Sequence, residues 1–255
     1  MPPPLFLVLA VVALCTLPTD ARAQNAQDGT AAAGVESGFA WYRAGTDSVR
    51  VHYTFPRVPG RRPAVLVLCD RFGMRTAMDN VLNVMAGLGF RAYAVPLRSA
   101  PGQAVEGAPS VSLDSTDIDI VSQVAVDIRN DPRGVGTLGL LAFDIGAAVG
   151  ASAAARFPLF NACALVSPAP VEAVIPDILR IEAPVHVIVG QYDPEQTLRA
   201  AEQLRDELTD KRRKVRVTVI RGAGMFFYNR EHAGFDKPSY NAALVEATRL
   251  LRSAL

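Results

Sequence analysis

The sequence predicts an α/β fold with a mostly parallel central sheet and helices on both faces. Three observations carry this. Residues 63–69 are a continuous apolar run, as expected of a strand buried on both faces, and mostly apolar strand stretches recur at 138–143, 161–166 and 185–189. Stretches with helical spacing separate them, and strands alternating with helices imply parallel pairing. At Leu140-Leu141-Ala142-Phe143-Asp144-Ile145-Gly146-Ala147-Ala148, an apolar run passes through a turn of small residues straight into a helical pattern.

Taken in order, residues 39–43 and 48–55 alternate apolar and polar side chains around Gly45-Thr46-Asp47, which predicts a hairpin at the sheet edge. Residues 63–69 (PAVLVLC) form a buried strand. Residues 76–88 have helical spacing and stop at Gly89, a natural helix end. The next strand is 91–96. Residues 98–115 carry Pro, Gly and Ser throughout, a length that suits a cap or mouth loop better than a simple connection. An amphipathic helix is expected over 117–130, a strand over 138–143 and a helix over 146–157. Strands follow at 161–166 and 185–189, the second running into Gly190-Gln191-Tyr192-Asp193-Pro194. Residues 195–209 read as a charged amphipathic helix, 215–220 as the last strand and 240–254 as the last helix. No internal repeat and no second domain is visible.

Composition agrees with one large domain. Half of the 255 residues are hydrophobic and 20% are charged, enough for a full core. The formal net charge is +1 without a block of like charges, so no nucleic-acid partner is expected. Residues 5–17 are an apolar run too short to span a bilayer. Pro18 and then Ala21-Arg22-Ala23, a small-x-small pattern before Gln24, follow it. This predicts a signal peptide over 1–23, export to the periplasm or extracellular space, and no membrane anchor after cleavage. A lipoprotein reading would use Cys15, but Leu14 is too bulky for the position before it. Residues 24–37, rich in Ala, Gly and Gln, read as a disordered leader to a domain over 38–255. Export permits a disulfide between Cys69 and Cys163. Both fall in or at the end of strands expected to be buried, which favours free thiols.

The chemistry concentrates at 140–148. A strand, a sharp turn of small residues and a helix make the layout of a nucleophile elbow, which holds a catalytic Ser or Cys at the top of the sheet. Here the exposed position is Asp144. Other segments join it: Ala64-Val65-Leu66-Val67-Leu68-Cys69-Asp70-Arg71-Phe72-Gly73-Met74, Tyr93-Ala94-Val95-Pro96-Leu97, Val189-Gly190-Gln191-Tyr192-Asp193-Pro194, Gly222-Ala223-Gly224-Met225-Phe226-Phe227 and Lys237-Pro238-Ser239-Tyr240-Asn241-Ala242-Ala243. By their order and spacing the chain resembles the dienelactone hydrolase family of α/β-hydrolases over residues 38–255.

The resemblance implies an α/β-hydrolase fold and hydrolysis of carboxylic esters or lactones. The family uses a Cys nucleophile, an Asp after a later strand, a His in a Gly-x-Gly-His-x-Phe turn, and a Glu after the early strand. Those positions fall on Asp144, Asp193, Met225 and Asp70. Only Asp193 is unchanged. In acyl transfer the nucleophile loses its proton to an imidazole and the leaving group regains one. Methionine can do neither. A carboxylate attacking an ester would give a mixed anhydride, an uphill product. The catalytic positions Asp144, Asp193 and Met225 are therefore expected to be impaired, as in a pseudoenzyme, leaving a role in binding a small molecule or another protein. Asp70, Arg71 and Phe72 follow a strand end, where open α/β sheets bind ligands, and are assigned to substrate binding. No cofactor is expected, no metal ligand set is assigned, and the oligomeric state is left open.

Two alternatives stand beside this reading. An active hydrolase would use Asp144 as nucleophile or base, with His232 or water completing the cycle. A divalent-cation site would gather Asp70, Asp144 and Asp193, whose like charges need neutralising by Arg71 or by a hard ion. Plainer roles exist too. Asp144 can cap the helix that follows it, and Asp193 the helix at 195–209. Asp70 and Arg71 can form an ion pair, and Met225 an apolar wall. His232 reads as a surface residue, His186 as a core or sheet-face residue, and His52 as part of the edge hairpin. Gly150-Ala151-Ser152-Ala153-Ala154 imitates a nucleophile motif but lies inside a helix, so Ser152 reads as helix packing.

Overall fold

A computed structural model describes residues 34–99, 113–169, 171–209 and 215–255. The expected signal peptide, most of the leader and most of the loop at 98–115 lie outside the described residues.

Eight strands form one sheet: β1 (Val35–Ala44), β2 (Asp47–Pro56), β3 (Arg62–Leu68), β4 (Arg91–Val95), β5 (Gly134–Phe143), β6 (Ala162–Val166), β7 (Val185–Tyr192) and β8 (Val215–Gly224). Their spatial order is β1-β2-β4-β3-β5-β6-β7-β8. β1 pairs antiparallel with β2, and β2 with β4, while every other neighbouring pair is parallel. The helices are α1 (Thr76–Gly87), α2 (Ser115–Asn130), α3 (Ile145–Arg156), α4 (Val171–Ile178), α5 (Glu195–Thr209) and α6 (Lys237–Ala254).

Helices cover both faces, as β5 demonstrates. The Cα of Gly139 is packed over by Leu251 and Leu255 from the α6 end, while the side chain of its neighbour Leu140 packs on Gly150 of α3. Successive strand residues point to opposite faces, so α3 and α6 lie on opposite sides of the sheet. The central strands β3, β4 and β6 are buried almost throughout, which explains their unbroken apolar runs. Cys69 and Cys163 are both buried and free. Burial pushes each thiol up to about 12, which leaves them unreactive. Among the described residues, no helix is long and apolar enough to cross a membrane.

Several expectations need correction. β1 starts at Val35, not at 39, so Val35, Glu36 and Ser37 belong to the sheet rather than to the leader. Val35 is buried and paired with Pro56, and Ser37 Oγ meets Thr54 Oγ1 at 3.0 Å. Helix α4 was not expected, because Pro176 inside it interrupts a short pattern. α6 begins earlier than the apolar spacing indicates. Asp236 caps it by accepting from the backbone N–H of Ser239, and Pro238 sits in its first turn.

The sheet delivers its carboxyl ends to one place. Asp70 and Arg71 follow β3, Asp144 follows β5, Ser167 follows β6 and Asp193 follows β7. Close packing of α3 on β3 holds the elbow there. A Cβ on Gly146 would collide with the carbonyl oxygen of Cys69, so glycine is required at that position.

Candidate functional site

Asp144 sits in the strained turn that an elbow requires, at φ 52° and ψ −120°. Its backbone is tied on both sides. Its N–H donates to the carbonyl of Val166 at 2.9 Å, and its own carbonyl accepts from Ala147 at 3.0 Å. Among the described residues three non-glycine positions have positive φ: Asp144, Ser167 and Phe226. All three line one cavity of about 40 Å³, together with Arg71, Asp193, Met225 and Tyr228. Such strain persists where the surrounding structure enforces it, and it gathers at functional sites. A larger cleft of about 400 Å³ lies around Phe160, Asn161 and Ile181 at the amino ends of β6 and β7, away from the elbow.

The Asp144 carboxylate is clasped by one residue. Arg71 gives a bidentate pair, Nε to Oδ2 and Nη2 to Oδ1, both at 2.7 Å. The backbone N–H of Arg71 adds a third bond to Oδ2 at 3.0 Å. That amide belongs to the loop after β3, which in an elbow supplies one of the two donors for the oxyanion of an acyl intermediate. Asp144 therefore occupies, with its own carboxylate, one of the two donors that such an oxyanion would use. Asp144 makes no side-chain cap bond to α3, so the capping expectation fails. A bidentate fork from a guanidinium, joined by a backbone N–H, outweighs a single cap bond and decides the rotamer.

Asp193 is not a cap either. Its Oδ2 turns back to accept from Ser167 Oγ at 2.7 Å and from the backbone N–H of Gly190 at 2.9 Å. Its Oδ1 is buried without a partner. Burial pushes its carboxyl up, against the bonds from Ser167 and Gly190 that pull it down. Asp70 does not pair with Arg71. It accepts from Asn229 Nδ2 at 2.8 Å and from the backbone N–H of Phe72 at 3.0 Å. Arg71 lines the cavity, whereas Asp70 lies behind it and Phe72 packs edge-on against Phe226 at 5.0 Å between ring centroids. Met225 is exposed at the cavity mouth rather than packed in the core.

None of the three imidazoles bonds to Asp144. His232 Nδ1 accepts from the backbone N–H of Gly234 at 2.9 Å and its ring packs on Phe226. His186, buried, meets Thr218 Oγ1 at 2.8 Å, and His52 pairs with Asp79 at 3.0 Å. Ser152 is buried in α3 and donates to Asp177 at 2.6 Å, as expected of a packing residue. Among the described residues no group of three or more metal-binding side chains is placed to share an ion. The three aspartates do not act as a common ligand set, because Asn229, Phe72 and Arg71 occupy most of their oxygens.

Sequence reasoning missed Ser167, Tyr228 and Asn229. Ser167 follows a strand end, a position that merits suspicion in open α/β sheets. Tyr228 stands in an aromatic run that reads as core, and its hydroxyl is buried without a partner.

Asp70 yields a pH prediction. Burial, reinforced by Asp144, pushes its carboxyl up to about 6, despite the bonds from Asn229 and Phe72. An unfolded aspartate titrates near ~3.9. Between those values the folded state holds the extra proton, so stability falls as pH rises from about 4 to about 6. Relative to Asp70→Asn, the unchanged protein should lose about 2–3 kcal/mol over that window and nothing further above it. Urea unfolding of both proteins at a series of pH values measures this. A stability difference that stays flat, or grows in the other direction, refutes it.

The comparisons with known proteins bear on this geometry. The family model described as "Dienelactone hydrolase family" matches residues 49–255. A protein from Klebsiella pneumoniae assigned as a dienelactone hydrolase superposes with a TM-score of 0.74 at 17% identity, covering 86% of this chain and 98% of its own. A dienelactone-hydrolase-like promiscuous phosphotriesterase from metagenomic libraries gives 0.73 at 18%, covering 87% and 99%. The dienelactone hydrolase of Anabaena variabilis gives 0.68 at 14%, covering 87% and 99%. The search of curated proteins gives no match. At these identities the solved structures speak for the α/β-hydrolase fold, while the family match spans most of the sequence. The chain belongs to the dienelactone hydrolase family.

Proposed function

We propose that this chain is an exported family member that has lost ester and lactone hydrolysis and uses the former active site to bind a small molecule. One observation carries the reading: the Asp144 carboxylate, held by the Arg71 fork, occupies one of the two donors that form the seat of the oxyanion. An acyl intermediate would need both that seat and a proton shuttle. Met225 supplies no shuttle, and each imidazole is engaged elsewhere. Asp144 as a nucleophile fares no better, because both of its oxygens already accept hydrogen bonds from a cation and are poorly placed to attack. Export is supported by the apolar run at 5–17 and by Ala21-Arg22-Ala23.

The test is direct. Purified mature protein should show no turnover of aryl esters or unsaturated lactones above the buffer rate, and mass measurement should place its N-terminus at Gln24. Robust turnover that disappears in Asp144→Ala would establish an active Asp144 enzyme and end this proposal. A protein retained in the cytoplasm with residues 1–23 intact would remove the export half alone.

A further inference from the structure

We propose that the cavity beside Asp193 is a receptor for a small primary ammonium group, carried on a ligand whose remaining part lies over Met225. The inference deepens the binding role proposed above and rests on it.

Two buried polar atoms at this cavity lack a protein partner, Asp193 Oδ1 and the hydroxyl of Tyr228. Asp193 is 5% exposed and Tyr228 2%, and both line the cavity. A buried carboxylate oxygen without a donor is costly. It calls for a donor from outside the chain. Ser167 Oγ donates its hydrogen bond to Asp193 Oδ2 and keeps its lone pairs. Asp193 Oδ1, Ser167 Oγ and the Tyr228 oxygen, carried by three residues of the cavity lining, each keep acceptor capacity, and an ammonium group brings three N–H donors.

Charge points the same way. Asp70, Asp144 and Asp193 stand at neighbouring strand ends, and Arg71 is committed to Asp144 alone. Of the two carboxylates that line the cavity, Asp144 is paired with Arg71 and Asp193 has no cation partner, so an anion would face the Asp193 charge and a cation would relieve it. Phe226 and Tyr228 add aromatic rings to the lining, which further favours a cation. Size limits the guest. About 40 Å³ holds a head group of a few heavy atoms, since one water needs ~10–15 Å³ and drug-sized pockets start near ~300 Å³. The rest of the ligand must remain outside. Met225, 47% exposed at the mouth, offers it a flexible apolar contact.

Methylammonium chloride titrated into the mature protein at constant ionic strength tests this, followed by amide NMR shifts of Ser167, Gly190 and Asp193. Saturable shifts confined to these residues are expected. Tetramethylammonium, with the same charge and no N–H, should leave them unmoved. Asp193→Asn should weaken binding about tenfold or more, as for a lost bond to a charged group. Should that variant fail to fold, Tyr228→Phe removes only an unpartnered oxygen and should weaken binding severalfold. No saturable shift, equal response to tetramethylammonium, or unchanged affinity in Tyr228→Phe overturns the proposal. Ester turnover in the same preparation would overturn the loss of hydrolysis and leave the binding result standing.

Discussion

Asp144→Cys combined with Met225→His should turn this protein into an esterase, and neither change alone should do so. The first substitution withdraws the carboxylate from the backbone N–H of Arg71. That frees the seat for a real oxyanion and leaves a thiol beside the Arg71 guanidinium, which favours the thiolate. The second places an imidazole at the mouth of a cavity that Asp193 also lines, and Asp193 keeps one buried oxygen, Oδ1, without a partner. That oxygen can hold one imidazole N–H and leave the other nitrogen facing position 144.

A positioned base contributes about 10²–10⁴-fold. Triad members act as a unit, so their effects are far from additive. The double variant should therefore exceed the unchanged protein by at least about a hundredfold in kcat/KM on an activated aryl ester, with each single variant within a few-fold of background. Turnover by Asp144→Cys alone would mean that a shuttle already exists, and His232, which packs on Phe226 of the cavity lining, is the imidazole to replace next. A folded, silent double variant would mean that the cavity is too small for an acyl group, and that more than two positions separate this chain from catalysis.

The fold was legible because its signals are local. Each central strand is an apolar run, and the elbow announces itself by a strand, small residues and a helix within 140–148. Boundaries were less legible where a single residue decides them. Asp236 and Pro238 start α6 ahead of its apolar face, and Val35 extends β1 by one buried pairing. That Asp70, Asp144, Asp193 and Met225 fall at or just after strand ends was also legible. Their roles were not. Whether Asp144 caps α3 or binds a cation depends on Arg71, a residue 73 positions away that reaches it only across the folded sheet. Asp193 turns towards Ser167, 26 positions earlier, for the same reason. Tyr228 is core apart from one hydroxyl that lacks a partner. Long-range pairings of this kind leave no periodic trace in a sequence.

The Arg71–Asp144 pair should also dominate local stability. Asp144 is 2% exposed, and among the described residues Arg71 supplies every hydrogen bond to its carboxylate. Arg71→Met keeps the backbone N–H and the volume but strands a buried charge. Breaking a fully buried pair from one side costs about 3–5 kcal/mol. The Arg71 side chain is 29% exposed, and water reaching the gap screens the charge, so about 2–3 kcal/mol is the expected loss. For a chain of this size that lowers Tm by roughly 5–10 °C. Removing the second charge as well, in Arg71→Met with Asp144→Ser, should restore most of it, because the penalty lies in the unpaired ion and not in the missing contact. The double-mutant cycle should then give a coupling of about 2 kcal/mol. If Arg71→Met is neutral, the fork is an ordinary surface pair with little hold on Asp144. The carboxylate could then leave the oxyanion seat at small cost, and the chain would be a hydrolase held shut by a weak latch instead of one that has given up its chemistry.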